Sequence, residues 1–480
     1  MIKTIPTLHM LLILMLRRGP YILISFFISI NITACKYEAE EQTDTNKESI
    51  SQYANSQGNN VDGELVLPEI PQCDGICTCD ETLIQFNDTG VIESAESSTG
   101  NLSYCSFSIL LGQDCRHGRD SQTSLNKVGK GNAGFDYSKV SSEGNILSED
   151  TKEWQCVLDN HTGLMWEVKE GSFSSNMGKK TNTFSWFDDD FPDYSSANNG
   201  DCNLSTSCDT QTYIQTANIN QMCGFDDWRL PDKIELQDLV DYGNSIPSID
   251  SFFFPQTESG FYWTSSVDSD DLASVWQVGF HFGRVAGNTT NNAKYIRLVR
   301  NQKKQKIELP IATTDEKNPI IREIVAPRQR CNSQIDSSAP ISRFKQDHHG
   351  NILDRFSGLI WKRCVAGLSG NYCDEGEKLK MSWLQAQMYA GKVTNDETEV
   401  LTTSWRLPNI KELQSTIEIQ CEEPALNPFI FPNIPLEDVW SGTPHTHHTD
   451  SSYYLQYQNS IIFYAPREEQ LLVHLVRDCQ

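Results

Sequence analysis

Near the amino terminus the apolar residues form two runs, 11–16 and 21–32, split by Arg17, Arg18, Gly19 and Pro20. Neither reaches the about 20 residues that a membrane-spanning helix needs, so the segment reads as a targeting signal. Residues 37–60 are acidic, rich in Ser, Asn, Gln and Thr, and nearly free of large aliphatic side chains. Such a stretch cannot offset its ordering entropy by burial, and it reads as a flexible tether. Further on the pattern becomes that of folded elements. Residues 163–168 predict a short strand after a turn. Tyr213 and Ala217 stand at helical spacing, as do Trp383, Ala386 and Ala390. Leu236, Leu239 and Val240 make an apolar face on a helix that begins near Pro231 and ends at Gly243. Residues 261–265, 275–280 and 295–299 alternate apolar and polar positions and predict strands.

These elements occur twice. Trp228-Arg229-Leu230-Pro231, with Glu235 and Leu236 behind it, recurs 177 residues later as Trp405-Arg406-Leu407-Pro408, with Glu412 and Leu413. The same step carries Phe252 to Phe429, Trp263 to Trp440, and Leu298-Val299-Arg300 to Leu475-Val476-Arg477. Upstream, Thr162-Gly163-Leu164-Met165-Trp166 matches Ser357-Gly358-Leu359-Ile360-Trp361 at a step of 195, so the first copy carries 18 more residues before its motif. That surplus falls within residues 171–209, an acidic loop that contains cysteine.

Composition narrows the function classes. The 480 residues hold 39 Lys+Arg against 64 Asp+Glu, a formal charge of −25. A polyanion repels phosphate backbones, and no local basic groove is visible, which excludes nucleic acid as a partner. Counted from Met15 as an alternative start to Met1, the amino terminus has a basic region, an apolar region and the ending Ile32-Thr33-Ala34-Cys35. This ending resembles a bacterial lipobox. The resemblance implies cleavage before Cys35, lipid on its sulfur, and an outer-membrane lipoprotein facing the periplasm or the surface. The competing reading is an ordinary secretory signal that contains a cysteine. Of 15 cysteines, lipidation leaves an even number for pairing in an oxidising compartment.

The predicted organisation is a signal peptide over 1–34, a lipid-anchored tether over 35–72, and a small cysteine-rich region over 73–150 leaning on the first copy. The first copy follows over 151–300, a linker over 301–330 and the second copy over 331–480. The Gly-Leu-x-Trp opening, the Trp-Arg-Leu-Pro helix start, the Phe-Pro turn, the Tyr-Trp-Thr-Ser strand and the closing Val-Arg resemble the family named for the carboxy-terminal domain of a Legionella collagen-like adhesin. The resemblance implies an α+β class: two C-type-lectin-like domains in tandem, disulfide-linked, each with two helices and a small antiparallel sheet. It also implies envelope and surface proteins, with glycosaminoglycan adhesion in the adhesin itself. No collagen-like Gly-X-Y tract is present here, so trimerisation through one is not expected.

Candidate chemistry is sparse. Arg229 with Glu235, and Arg406 with Glu412, read as internal ion pairs pinning a helix start beside core Trp228 and Trp405, in preference to a catalytic pair. Cys73, Cys77 and Cys79 read as disulfide partners in preference to a metal site. Candidate disulfides join Cys364 to Cys373, Cys202 to Cys208 and Cys421 to Cys479. His445, His447 and His448 form a candidate zinc or copper site in a polar loop. Asp188, Asp189, Asp190 and Asp193 crowd enough carboxylate for calcium but lack EF-hand spacing. Tyr262, Trp276, Tyr453, Tyr454 and Tyr457 form a candidate aromatic binding face. Neither Glu-Pro-Asn nor Trp-Asn-Asp, the sugar-binding triplets of calcium-dependent lectins, is found. Nucleophile elbow, phosphate loop, HExxH and dinucleotide fingerprint are likewise missing.

The expectation is a non-catalytic envelope lipoprotein that binds a glycan or an envelope protein, attached to the membrane through its lipid and needing no cofactor. Two alternatives stand beside it: an oxidase like the enzymes that make formylglycine, which needs free thiols, and a structural component of an envelope complex.

Overall fold

A computed structural model describes residues 70–73, 86–95, 102–105, 110, 112–122, 124–171, 177–197, 200–202, 207–269, 271–301, 328–396 and 403–479. The expected signal peptide, the expected lipidation site Cys35, Cys77, Cys79 and nearly all of the linker lie outside the described residues. No helix among the described residues is long and apolar enough to cross a membrane.

Each copy starts from a tight turn. In the first, the Asp159 carboxylate accepts the amides of His161 and Thr162, and Gly163 follows at φ +74°. In the second, Asp354 accepts the Phe356 amide and the Ser357 hydroxyl, and Gly358 has φ +71°. An aspartate that caps its own turn and a glycine that enters the left-handed region are what such a reversal requires. Around the first turn, β1 (Tyr137–Val140), β2 (Cys156–Asp159) and β3 (Leu164–Glu167) form a four-stranded sheet closed by the last strand of the copy, Val299–Asn301. Before that closing strand come α1 (Thr210–Ile219), α2 (Lys233–Asp238), β4 (Phe261–Val267), β5 (Ser274–Gly279) and β6 (Arg284–Thr289). The closing strand is β7.

The second copy repeats this order. Strands β8 (Phe344–Gln346), β9 (Ile352–Asp354) and β10 (Leu359–Trp361) pair with the terminal strand Val476–Asp478. Between them lie β11 (Lys380–Met381), α3 (Trp383–Asp396), α4 (Ile410–Ser415), β12 (Asp438–Pro444), β13 (Ser451–Gln456), β14 (Ile462–Pro466) and β15 (Leu471–Leu472). The terminal strand is β16.

Two tandem C-type-lectin-like α+β domains are not formed. Helix is confined, among the described residues, to four short α-helices of 10, 6, 14 and 6 residues and three 3₁₀ turns, and the rest of the regular structure is β. The two hairpin sheets merge into one eight-stranded sheet in the order β11-β15-β12-β13-β14-β6-β5-β4. The seam is the antiparallel pairing of Val285 on β6 with Ile462 on β14. The order on one side of the seam mirrors that on the other, which is the pattern of a pseudo-twofold axis between copies. The cores are merged as well: one buried cluster contains Trp166, Leu236 and Tyr262 from the first copy with Ile410, Leu413 and Tyr453 from the second. Pairing two edges removes the exposed hydrogen-bonding rows that each copy alone would present.

The cysteine-rich segment also departs from expectation. It straddles both copies, where it was expected to lean on the first. Asn87 is held by Asp159 and Asp238 of the first copy, at 2.5 and 2.6 Å, and Asp88 by Asn409 of the second, at 3.0 Å. The amide of Tyr242 donates to the carbonyl of Thr89, and the hydroxyl of Thr443 donates to Asp114.

Candidate functional site

The repeated motif builds the same constellation twice. Asp232 accepts the Glu235 amide while Glu235 accepts the Asp232 amide, a capping box that starts α2; Asn409 and Glu412 do the same for α4. The helix therefore begins two residues later than expected, at Lys233, and Pro231 precedes its cap. Arg229 then grips Glu235 with two bonds of 2.7 Å, and Arg406 grips Glu412 at 2.6 and 2.7 Å. Each guanidinium donates also to the following carbonyl, Leu230 or Leu407, and to a residue of the closing strand, Asn301 or Asp478. The tryptophans are core, and each backbone is held by one helical side chain, Asn218 for Trp228 and Thr394 for Trp405.

The environments differ. Arg406 is 3% exposed and Arg229 is 40% exposed. In the first copy the motif lies in an open cleft of about 400 Å³ lined by Phe187, Asp188, Gln211, Ile214, Arg229, Leu230, Asp232 and Ser265. In the second, the corresponding surface is covered by residues 112–114. A Cβ on Gly112 would lie 2.9 Å from Gln387 Oε1 and 3.6 Å from Arg406 Cβ, and one on Gly442 would lie 3.6 Å from the Asp114 amide. Gln387 corresponds to Gln211 when the helices are aligned on Asn218 and Thr394. Gly442 stands 177 residues after Ser265.

The surplus loop explains the open side. Trp186 donates its indole N–H to the Thr264 carbonyl as Trp383 does to that of Ser441, so the two indoles occupy equivalent places. Trp383 is the first residue of α3, whereas after Trp186 the chain runs out through the loop before α1 begins at Thr210. Phe187 and Asp188 of that loop form the cleft rim. Burial, reinforced by the Glu235 charge, pushes the Asp232 carboxyl up to about 7.

The sequence model of the Lcl C-terminal domain matches residues 155–300 and 350–477, more than half of the chain. The chain belongs to the Lcl C-terminal domain family. No curated protein and no solved structure matches it.

Within the two Lcl C-terminal domains the remaining candidate residues fall as follows. Tyr262, Trp276, Tyr453 and Tyr457 are buried, and Tyr454 is half-buried, so they do not form the expected aromatic face. They serve packing: Tyr453 stacks on His445, Lys233 Nζ sits 3.4 Å above the Trp276 ring, and the Tyr457 hydroxyl meets His474 Nδ1 at 2.7 Å. The strands that carry Tyr262, Trp276 and Tyr453 are largely buried, which is why these aromatics point into core.

The histidines do not converge as ligands. His445 is buried, its Nδ1 accepts the amides of His447 and His448 at 3.1 Å, and its pKa is pushed down to about 3 by burial and by its histidine neighbours. His447 is exposed and stacks on Phe282 of the first domain. Asp188 caps the Asp190 amide, and Asp189 accepts from Gln211. Among the described residues no group of three or more His, Cys, Asp or Glu is placed to hold a metal ion.

Cys202 pairs with Cys208 and Cys364 with Cys373. Cys421 pairs with Cys331 and not with Cys479, because residues 330–331 and 421–422 lie side by side as a two-stranded ribbon. Cys105–Cys115 and Cys156–Cys223 complete the pairs among the described residues, and Cys73 and Cys479 are also in disulfides. Gln211, Ile214, Ser265 and Gly112 were not among the sequence candidates. The 177-residue step was the available signal, since it sets Ser265 against a glycine.

Proposed function

We propose that the chain is a non-catalytic binding module of the bacterial envelope, tethered by lipid on Cys35 to the outer membrane, and that the cleft of its first Lcl C-terminal domain recognises an envelope protein. The observation that carries this reading is the exposure of Arg229 in an open polar cleft, where its counterpart Arg406 is closed over by the chain itself. A concave site with a few convergent polar groups is the ordinary form of a binding site. A protein ligand is favoured over a glycan because the strand aromatics that could stack on sugar rings are turned inward. Thiol oxidation of the formylglycine type has no free thiol to use among the described residues.

Two measurements test this reading. The ectodomain from Val61 onward is applied to a broad glycan array in calcium and in chelator, and the lipid-anchored chain is purified from detergent-solubilised membranes. Silence on the array, with a stoichiometric protein partner lost on Ile214→Arg, is expected. Glycan binding in both buffers would replace the reading with that of a calcium-independent lectin.

A further inference from the structure

The second domain shows what the motif cleft takes when it is filled. Residues 112–114 cross it as a tight turn that leads into a 3₁₀ turn, Asp114–Arg116: a Cβ on Gly112 would lie 2.9 Å from Gln387 Oε1, and the Asp114 carboxylate accepts from the Thr443 and Thr89 hydroxyls at 2.7 and 2.9 Å. Asn409 donates to Asp88 alongside. Every motif residue of that surface has its counterpart in the first domain at the same structural position: Gln211 for Gln387, Arg229 for Arg406, Leu230 for Leu407, Ser265 for Gly442 and Ser266 for Thr443. The Ser266 hydroxyl accepts the Lys233 amide at 3.0 Å just as the Thr443 hydroxyl accepts the Ile410 amide at 3.0 Å, which leaves each hydroxyl proton directed elsewhere.

The charge of the two surfaces is different. Asn409, a donor to an acid, is replaced by Asp232, an acceptor, and the surplus loop adds Asp188 at the rim. The one cation, Arg229, is already matched by Glu235. The filled cleft accommodates acids, whereas the open one presents them.

We propose that the open cleft is an acceptor site for a turn-forming segment of a partner protein, with glycine or another small residue against Gln211 and Arg229 and a basic side chain toward Asp188 and Asp232, in the place residues 112–114 occupy on the second domain. This rests on the reading of the cleft as the binding site. Close packing of a small residue gives such a site its fit, and side-chain charge gives it specificity.

The probes are two synthetic acetylated heptapeptides read by fluorescence anisotropy against the full chain. One is Leu-Leu-Gly-Gln-Asp-Ser-Arg, the order of residues 110–116 with serine for cysteine; the other has lysine for aspartate. The lysine peptide is expected to bind saturably and about ten-fold tighter than the aspartate peptide, to weaken with salt, and to lose binding when its glycine becomes valine. Ser265→Trp, which fills the cleft at an exposed position, is expected to abolish binding with an unchanged unfolding midpoint. Equal or tighter binding of the aspartate peptide, or insensitivity to Ser265→Trp, overturns the proposal. If neither peptide binds while the membrane-purified chain still loses its partner on Ser265→Trp, the turn-segment inference fails and the binding-module reading stands. If partner capture survives that substitution, the assignment of the cleft fails.

Discussion

Lys411 Nζ donates to the main-chain oxygen of Asp238 at 2.8 Å, so the helix of the second domain is tied to the end of the first domain's helix by a buried cation. The same ammonium donates to the Asp88 carbonyl at 2.8 Å and lies 4.9 Å over the Phe135 ring. Three parts of the chain therefore meet on one side chain. Its charge faces Asp238, Asp120, Asp88 and Asp241, while burial pulls its pKa down. Lys411→Met keeps the volume but leaves the buried Asp88 and Asp238 carbonyls without their donor. The expected loss is about 3–5 kcal/mol by urea unfolding, with both domains still melting in one transition. A loss under about 1 kcal/mol, or two separate transitions, would show that the seam is held by the sheet alone.

The acids of the same seam set a pH dependence. Burial, with neighbouring carboxylates, pushes Asp88 and Asp114 up to about 8 and Asp120 up to about 7. An unfolded aspartate titrates near about 3.9, so the folded state keeps protons that the unfolded state releases. The contribution of these acids is complete below about pH 4 and is lost as pH rises through about 8. Burial pulls His161 and His474 down to about 4, which acts in the opposite sense, but that effect is complete near about pH 6.5. Lys233, pulled down to about 7, opposes the trend above that pH. The wild type should therefore lose stability relative to Asp114→Asn between pH 6 and 8, by up to about 1.4 kcal/mol per pH unit. Urea midpoints of the two proteins at several pH values read this directly, and a constant gap would refute it.

What the sequence displayed was local chemistry. The Asp-x-x-Glu and Asn-x-x-Glu spacings of the motif are capping-box signals, and the arginine six residues before each glutamate completes the same unit, so the ion pairs and the core tryptophans could be read in advance. The merged sheet could not. Its seam strand β6 reads Arg-Val-Ala-Gly-Asn-Thr, too polar to stand out as a strand, and it meets β14 through the single partner pair Val285 and Ile462. The aromatic face was misread because alternation on a strand marks two faces and does not tell which is covered. All six residues of β5 are buried. The filled cleft of the second domain depends on Gly112, nearly 300 residues from Arg406, a pairing that no local pattern announces.

Arg229 and Arg406 grip their glutamates alike, but Arg406 is buried and also pairs with Asp478 where Arg229 meets the neutral Asn301, so their substitution compares a buried ionic network with an exposed pair. Arg406→Ala leaves Glu412, only 8% exposed, with its charge uncompensated beneath residues 112–114, and should cost about 3–5 kcal/mol. Arg229→Ala removes a pair that water already screens, and should cost about 1 kcal/mol. Denaturant midpoints of the two variants give the comparison. Equal costs would mean that the covering segment does not shield the second motif in solution.

The disulfides should rank by the loops they close. Cys331–Cys421 spans a sequence separation of 90, and Cys364–Cys373 one of 9. If cross-linking acts by restricting the unfolded chain, their removal costs about 4.5 and about 2.5 kcal/mol respectively. Cys331 and Cys421 are also the means by which the start of the second domain is fastened to the segment after α4, so the cost falls on a contact distant in sequence. Paired serine substitutions at each bridge, unfolded in guanidinium, test the order. A larger loss at Cys364 and Cys373 would show that native packing around the short bridge, and not loop entropy, governs its contribution.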